Sequence, residues 1–167
     1  AANHDRIRLH TDAEVIGSEG FRGNFLTEIM AAGYEAPVEI KHAVTILATG
    51  ASEYKPEGQY LYGEDERVMT QLELEAALED FSLPPPGCCV MIQCVGSRNT
   101  RRPYCSRICC LTALKNAMTM KVRWPDTDVI VMFRDMMTYG FSEKHYKAAR
   151  RMGIRFVRFA PGNPPVI

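Results

Sequence analysis

Downstream of Pro84, Pro85 and Pro86, short apolar segments alternate with amphipathic ones, and this alternation constrains the fold more than any other feature. The run CVMIQ, residues 89–93, reads as a continuous apolar strand of the kind buried on both faces. A helical pattern follows over 106–122, with Ile108, Leu111, Leu114, Ala117 and Met118 on one stripe. DVIVMF, 128–133, is a second strand. Ser142 then caps a short helix over 143–152, stopped by Gly153 at the C′ position, and IRFVRF, 154–159, is a third strand. A β-α-β-α-β order predicts an α/β fold: a Rossmann-like parallel sheet with flanking helices and right-handed crossovers.

The prolines themselves form a stiff connector, since they fix φ and supply no ladder hydrogen bonds. Upstream, residues 6–20, 23–30 and 38–50 read as strands separated by Gly20, Gly23 and the AAGYEAP turn, a β-meander. The last of these ends in Ala48, Thr49 and Gly50, where a glycine lets a backbone approach a ligand closely. A plain strand-to-loop turn explains the same residues. Residues 51–69 form a loop rich in Gly, Glu and Tyr, and Thr70 with Glu73 makes a capping box that predicts a helix over 71–79.

Bulk composition excludes several classes. Lys+Arg and Asp+Glu stand at 20 each, so net charge gives no pointer to nucleic acid or acidic lipid. No apolar run approaches the roughly 20 residues of a membrane helix, and no signal peptide opens the chain. The six cysteines crowd into residues 88–110, which argues against a disulfide scaffold and for a local site in a cytoplasmic protein.

That site lies where the first strand of the parallel sheet turns into its helix. A dinucleotide-binding unit places a G-x-G-x-x-G turn there, with the pyrophosphate on the helix N-terminus. Here the turn reads CVGSRNTRRPYC, with Gly96 its one glycine and Arg101, Arg102 and Pro103 too bulky for close approach. Four cysteines follow the spacing C-x10-C-x3-C-C: Cys94, Cys105, Cys109 and Cys110. Cys94 arrives from the strand end. If the helix starts at Ser106, Cys105 sits at its N-terminus, Cys109 lies one turn on and Cys110 about 100° around. Such thiols can surround a multi-iron cluster, their charge offset by the helix N-terminus and by Arg98, Arg101, Arg102 and Arg107. Zinc is a second option, although no C-x2-C knuckle occurs; a redox disulfide and plain buried cysteines are others. Cys88 and Cys89 are not read as ligands.

Arg134 and Asp135 follow the second strand, where a nucleotide-binding sheet places a ribose- or phosphate-reading group, or simply a solvated end. Tyr104, Tyr139 and Phe141 could pack over a cluster or close the core, and are assigned to the core. His4, His10, His42 and His145 have no metal-ligand spacing and are read as surface residues.

The segments ILATGASEY, GEDERVMTQLELE, MIQCVGSRNTRRPYCSRICCLTALKNA, FRDMMTYG and NPPV together resemble the A subunit of heterodisulfide reductase and its flavoprotein relatives in methanogens and anaerobic and sulfate-reducing bacteria. The resemblance runs from about Thr45 onward. It implies a thioredoxin-reductase-like body with an FAD-binding half and a second half of nicotinamide-domain topology. Residues 1–51 would then be the C-terminal part of the FAD half, with Ala48, Thr49 and Gly50 as an FAD-contacting turn. Residues 52–87 would be a connector with a helix, and 88–167 a truncated, cluster-bearing Rossmann-like domain. The resemblance also implies a [4Fe-4S] cluster on Cys94, Cys105, Cys109 and Cys110, relaying electrons to or from FAD. It implies an oxidoreductase subunit, with the isolated fragment inactive. Partners implied are other heterodisulfide reductase-type subunits and ferredoxin, hydrogenase or dehydrogenase electron donors, in electron-bifurcating complexes, and a homodimer of the full-length protein is compatible. The chain lacks the family's opening G-x-G-x-x-G and any C-x2-C-x2-C-x3-C run, so it is expected to be a middle portion of such a protein.

Overall fold

The computed structural model describes residues 4–167, which fall into two compact units, one ending at Ala51 and the other starting at Ser52.

The first unit is an antiparallel meander in sequence order: β1 (Ala13–Phe21), β2 (Asn24–Ala31) and β3 (Val38–His42). Phe21 pairs with Asn24, so Arg22 and Gly23 make the whole β1–β2 turn, and Gly23 takes the positive φ of 92° that this tight connection demands. The expected strands are longer than those formed. Residues 6–12 lie outside β1, and β3 stops at His42, leaving the apolar run up to Gly50 irregular. A strand is held by ladder partners, and among the described residues 44–50 have none. Ile46 and Leu47 consequently stand 87% and 83% exposed. His42 is half-buried instead of free on the surface: its Nε2 bonds Thr27 Oγ1 at 2.8 Å and its ring stacks on Phe25.

The second unit carries the expected α/β fold. A parallel sheet of β4 (Cys88–Ile92), β5 (Asp128–Phe133) and β6 (Arg155–Arg158) runs in sequence order, with α2 (Cys109–Arg123) and α3 (Glu143–Arg151) in the two crossovers. Ahead of the sheet lies α1 (Gln71–Glu79). The core gathers Leu74 and Leu78 of α1, Leu114 and Met120 of α2, and Met91, Val129 and Val131 of the sheet. Only one sheet face is covered in this way; Val90 on the other is 51% exposed, which corrects the reading of a strand buried on both sides. All three helices contribute to a single core, so they serve a single face.

Two helix registers differ from expectation. Helix α2 begins at Cys109, not Ser106, because Arg107 sits at φ 63°, outside the right-handed region. Its buried stripe is Cys110, Ala113, Leu114, Ala117 and Met120, while Ile108 and Leu111 face out. Burial chose the face: a fully buried Leu or Met stabilises by about 1.5–3 kcal/mol, against about 1 kcal/mol for a typical cap, and α2 has no side-chain cap. Buried Asn116 ties α2 to α1, its Nδ2 donating to the backbone and side-chain oxygens of Gln71 at 2.9 Å each. Helix α3 lacks a cap bond from Ser142, but its C-terminus is as expected. Gly153, at φ 82°, donates to Arg150 O, and Ile154 donates to Ala149 O, a Schellman motif with Ile154 and Ala149 both in the core.

The capping box of α1 is fully formed. Thr70 Oγ1 accepts from Glu73 N at 3.3 Å, and Glu73 Oε2 accepts from Thr70 N at 2.7 Å. Glu73 also accepts from Lys55 and Tyr62, and the Lys55 bond, ahead of the Thr70 amide, holds its carboxyl down at about 2. We predict that Thr70→Ala costs about 1 kcal/mol in denaturant unfolding. A carboxyl depressed in the folded state stabilises above its ordinary value of 4.5 and loses that contribution as pH falls toward 2. Glu73→Gln should therefore be less stable at neutral pH and show a shallower loss of stability across that acid window. Gly153→Ala should destabilise by about 1–2 kcal/mol, through the left-handed conformation it would force on an L-residue.

Candidate metal centre

Residues 93–108, between β4 and α2, have no regular secondary structure, yet they are tightly tied. Asn99 Oδ1 accepts from the amides of Arg101 and Arg102 at 3.0 and 2.8 Å, folding the tip into a side-chain-capped turn. Arg98 N then donates to Tyr104 O, and Asn99 N to Arg102 O, so the two limbs of the loop run back along one another. Three non-glycine residues, Cys94, Arg98 and Arg107, hold positive φ of 67°, 57° and 63°. Such conformations persist only where the surroundings over-determine them.

Two devices supply that restraint. The first is Tyr54, whose ring lies so close to Gly96 that a Cβ there would fall 2.2 Å from two ring carbons. The guanidinium of Arg102 covers Tyr54 at 4.9 Å from the ring centroid. Gly96 is thus required by an aromatic ring and by its φ of 73°, and the closely approaching group is not a pyrophosphate. The second is Asp135, just past β5. Its carboxylate accepts from Arg98 Nη2 at 2.7 Å and from Arg158 Nη2, at the end of β6, at 2.9 Å. Arg134 Nη1 donates to Arg98 O at 2.7 Å, and Arg158 Nε to Arg134 O at 2.9 Å. The Arg98 bond, foremost, holds the Asp135 carboxyl below the usual carboxylate range. Arg134 and Asp135 are accordingly neither a free strand end nor idle: they staple the loop to the sheet.

All six cysteines are unpaired thiols. Cys109 and Cys110 stand side by side at the start of α2. Cys109 is the thiolate of the pair, lowered to about 6 by Cys110 first, with help from Ser106 Oγ at 3.6 Å and from the free amides of the helix start. Cys110, 1% exposed, is pushed up by the Cys109 contact and by burial, and its Sγ donates to Asp135 O at 3.9 Å. Cys94, at the strand end, lies near enough to Cys110 to raise it further and near enough to Arg98 to favour its charged form. Cys105 precedes α2 by four residues, so the expected one-turn stacking of Cys105 on Cys109 does not occur. Its sulfur accepts from Arg107 N at 3.3 Å. Among the described residues, no three His, Cys, Asp or Glu side chains converge on a point that could hold a metal ion.

The donor set nevertheless fits a thiolate-bound cluster in its chemistry. Four free thiols lie in one restrained loop and the first turn of the helix it feeds, Cys109 is lowered toward its ionised form, and uncapped amides and the Arg98 cation lie near the sulfurs. Cys88 is exposed, and Cys89 packs on the core with its thiol raised to about 11 by burial, so neither belongs to the group. Ala48, Thr49 and Gly50 belong to the other unit, where they are exposed and Gly50 has a φ of 68°.

Tyr104, Tyr139 and Phe141 were expected in the core and are instead 65%, 67% and 95% exposed. Tyr104 lies in the irregular β4–α2 loop, and Tyr139 and Phe141 at a single 3₁₀ turn with no buried residue. Tyr54, Gln93 and Arg158 escaped the sequence reading altogether. The sole available signal was their position, at the end of a strand or just past the ATG turn.

No family model matches the chain. Among curated proteins it is similar to the A subunit of the ferredoxin:CoB-CoM heterodisulfide reductase of Methanosarcina acetivorans, 35% identical over 76% of this chain and 21% of that protein. It is also 36% identical to the A subunit of the H2/formate:CoB-CoM heterodisulfide,ferredoxin reductase of Methanococcus maripaludis, over 75% of this chain and 22% of that one. A third relative is the iron-sulfur A subunit of the CoB–CoM heterodisulfide reductase of Methanocaldococcus jannaschii, at 34% over 74% and 22%. The chain spans about a fifth of the length of the curated relatives it matches. Over that span, the chain belongs to the family of heterodisulfide reductase A subunits.

Proposed function

We propose that this chain is an electron-transfer segment of a flavin and iron-sulfur oxidoreductase of the heterodisulfide reductase type. Cys94, Cys105, Cys109 and Cys110 would hold a [4Fe-4S] cluster, which when bound supplies a one-electron relay to or from FAD in the full-length protein. The observation that carries this reading is the gathering of Cys94, Cys109 and Cys110 at the uncapped start of α2, in the turn where a nucleotide fold would receive phosphate.

The chain's own residues do the preparatory work. Cys110 foremost, with Ser106 and the free amides, lowers Cys109 toward its thiolate, the form that binds metal. Arg98 places a cation against Cys94, offsetting the charge that several thiolates build up at close range. Asp135 anchors Arg98 with its carboxylate and receives Cys110 at its backbone oxygen, so one residue holds both the loop and the start of α2. Residues 1–51 are read as the end of the FAD half, with Ala48, Thr49 and Gly50 touching the flavin; 52–87 are the connector and 88–167 the cluster-bearing domain. The remaining heterodisulfide reductase subunits, with a ferredoxin, hydrogenase or dehydrogenase donor, are the partners in this reading. Their relay supports electron bifurcation in the cytoplasm. Among the described residues no helix is long and apolar enough to cross a membrane.

After anaerobic reconstitution we expect roughly four irons and four acid-labile sulfides per chain. Cys94→Ser, Cys105→Ser and Cys109→Ser should each lose most of this content, while Cys88→Ser keeps it. One zinc without sulfide, or full loading in Cys105→Ser, would contradict the assignment. Asp135→Ala should quicken amide hydrogen exchange over residues 94–102 by about tenfold or more. It should also lower iron content, although it removes no thiol.

A further inference from the structure

The β4–α2 loop doubles back on itself, with Cys94 at the foot of its first limb, Asn99 at the tip and Cys105 on the second limb. Two backbone bonds join the limbs near the tip, Asn99 N to Arg102 O at 3.1 Å and Arg98 N to Tyr104 O at 3.3 Å. Between Cys94 and Ser97, no backbone bond crosses to the other limb among the described residues. Cys109 and Cys110 are fixed by the first turn of α2, and Cys94 by the end of β4. Cys105 has no such element under it, and its sulfur accepts only from a near neighbour, Arg107 N at 3.3 Å. The gap between Cys94 and Cys105 therefore depends on side chains.

Tyr54 comes from outside the loop and touches both limbs. On the first limb its ring takes the space beside Gly96, where an added Cβ would lie 2.2 Å from two ring carbons. On the second limb the Arg102 guanidinium stands 4.9 Å from the ring centroid, three residues before Cys105. The ring is itself held, since Gln59 Nε2 donates to Tyr54 Oη at 2.6 Å. We propose that Tyr54 is the positioning residue of the thiol centre: it acts not as a ligand but by setting the gap between the limbs, and so the placing of Cys105 against Cys94. This rests on the cluster reading of the four thiols. Residues behind the ligands of a metal centre orient those ligands, and losing one commonly weakens metal binding about 10- to 100-fold. The aromatic ring is the part that matters, because it is what meets Gly96 and what the guanidinium covers.

The test uses the whole chain, reconstituted anaerobically with iron and sulfide, and electron paramagnetic resonance of the reduced form. Tyr54→Ala should release iron to a chelator about tenfold faster or more, and its spectrum should spread over more than one set of g values. Tyr54→Phe keeps the ring and should match the parent chain in both readouts. Thr70→Ala weakens the same unit away from the loop and should also match the parent, which separates positioning from plain loss of stability. Should Tyr54→Ala fail to fold, Tyr54→Leu fills the space without an aromatic face for Arg102 and should show the same two changes. In the iron-free chain, Tyr54→Ala or Tyr54→Leu should quicken amide exchange at Arg98 and Asn99 by about tenfold or more. Parental iron release and spectrum in a folded Tyr54→Ala or Tyr54→Leu, or unchanged exchange, would overturn this inference and leave the cluster reading standing. A parent chain that takes up no iron and sulfide would instead overturn the cluster reading, and with it the role given to Tyr54.

Discussion

The structure around the thiols depends on one carboxylate. Asp135 lies just beyond the central strand of the parallel sheet, and it receives a guanidinium from the β4–α2 loop and another from the end of β6. Its backbone oxygen takes Cys110 Sγ. The arginines reciprocate: Arg134 holds the Arg98 carbonyl, and Arg158 holds the Arg134 carbonyl. Charge-assisted bonds of this kind are about twice as strong as neutral ones, and here they close a ring linking three strand ends. A loop with three non-glycine residues at positive φ would not hold its shape without such a frame.

The same frame explains how a nucleotide-type fold can take up other chemistry. In a dinucleotide site, glycines let the backbone close on the pyrophosphate and the helix amides receive it. In this chain, Tyr54 fills the space beside Gly96, and the amides at the start of α2 face the Cys109 sulfur. The helix N-terminus keeps its preference for negative charge, but the charge is now a thiolate carried by the chain itself.

How much of this was legible in the sequence follows from whether the cause was local. The α1 capping box and the Gly153 stop are written in a few neighbouring residues, and both stand as read. The strand and helix alternation after the prolines gave the parallel sheet, because each element carries its own period. The start of α2 was misread because the apolar stripe was taken to begin at Ile108 while the backbone at Arg107 is left-handed, which no side-chain pattern reveals. Strand β3 was overextended because apolar alternation in 44–47 says nothing about whether a neighbouring strand is present. The cysteine loop was recognisable by spacing. Its support was not, since Asp135 and Arg98 meet across 37 positions, and Arg158 joins from 23 further on.

The central claim is that this restrained loop is a thiolate metal centre set in place of a phosphate turn. Mössbauer spectroscopy of the chain reconstituted anaerobically with ⁵⁷Fe and sulfide tests it most directly. The account predicts the spectrum of a four-iron cluster with every iron in a sulfur environment, and its disappearance in Cys109→Ser. A spectrum of isolated or non-sulfur iron alone, or one indifferent to Cys109, would contradict it.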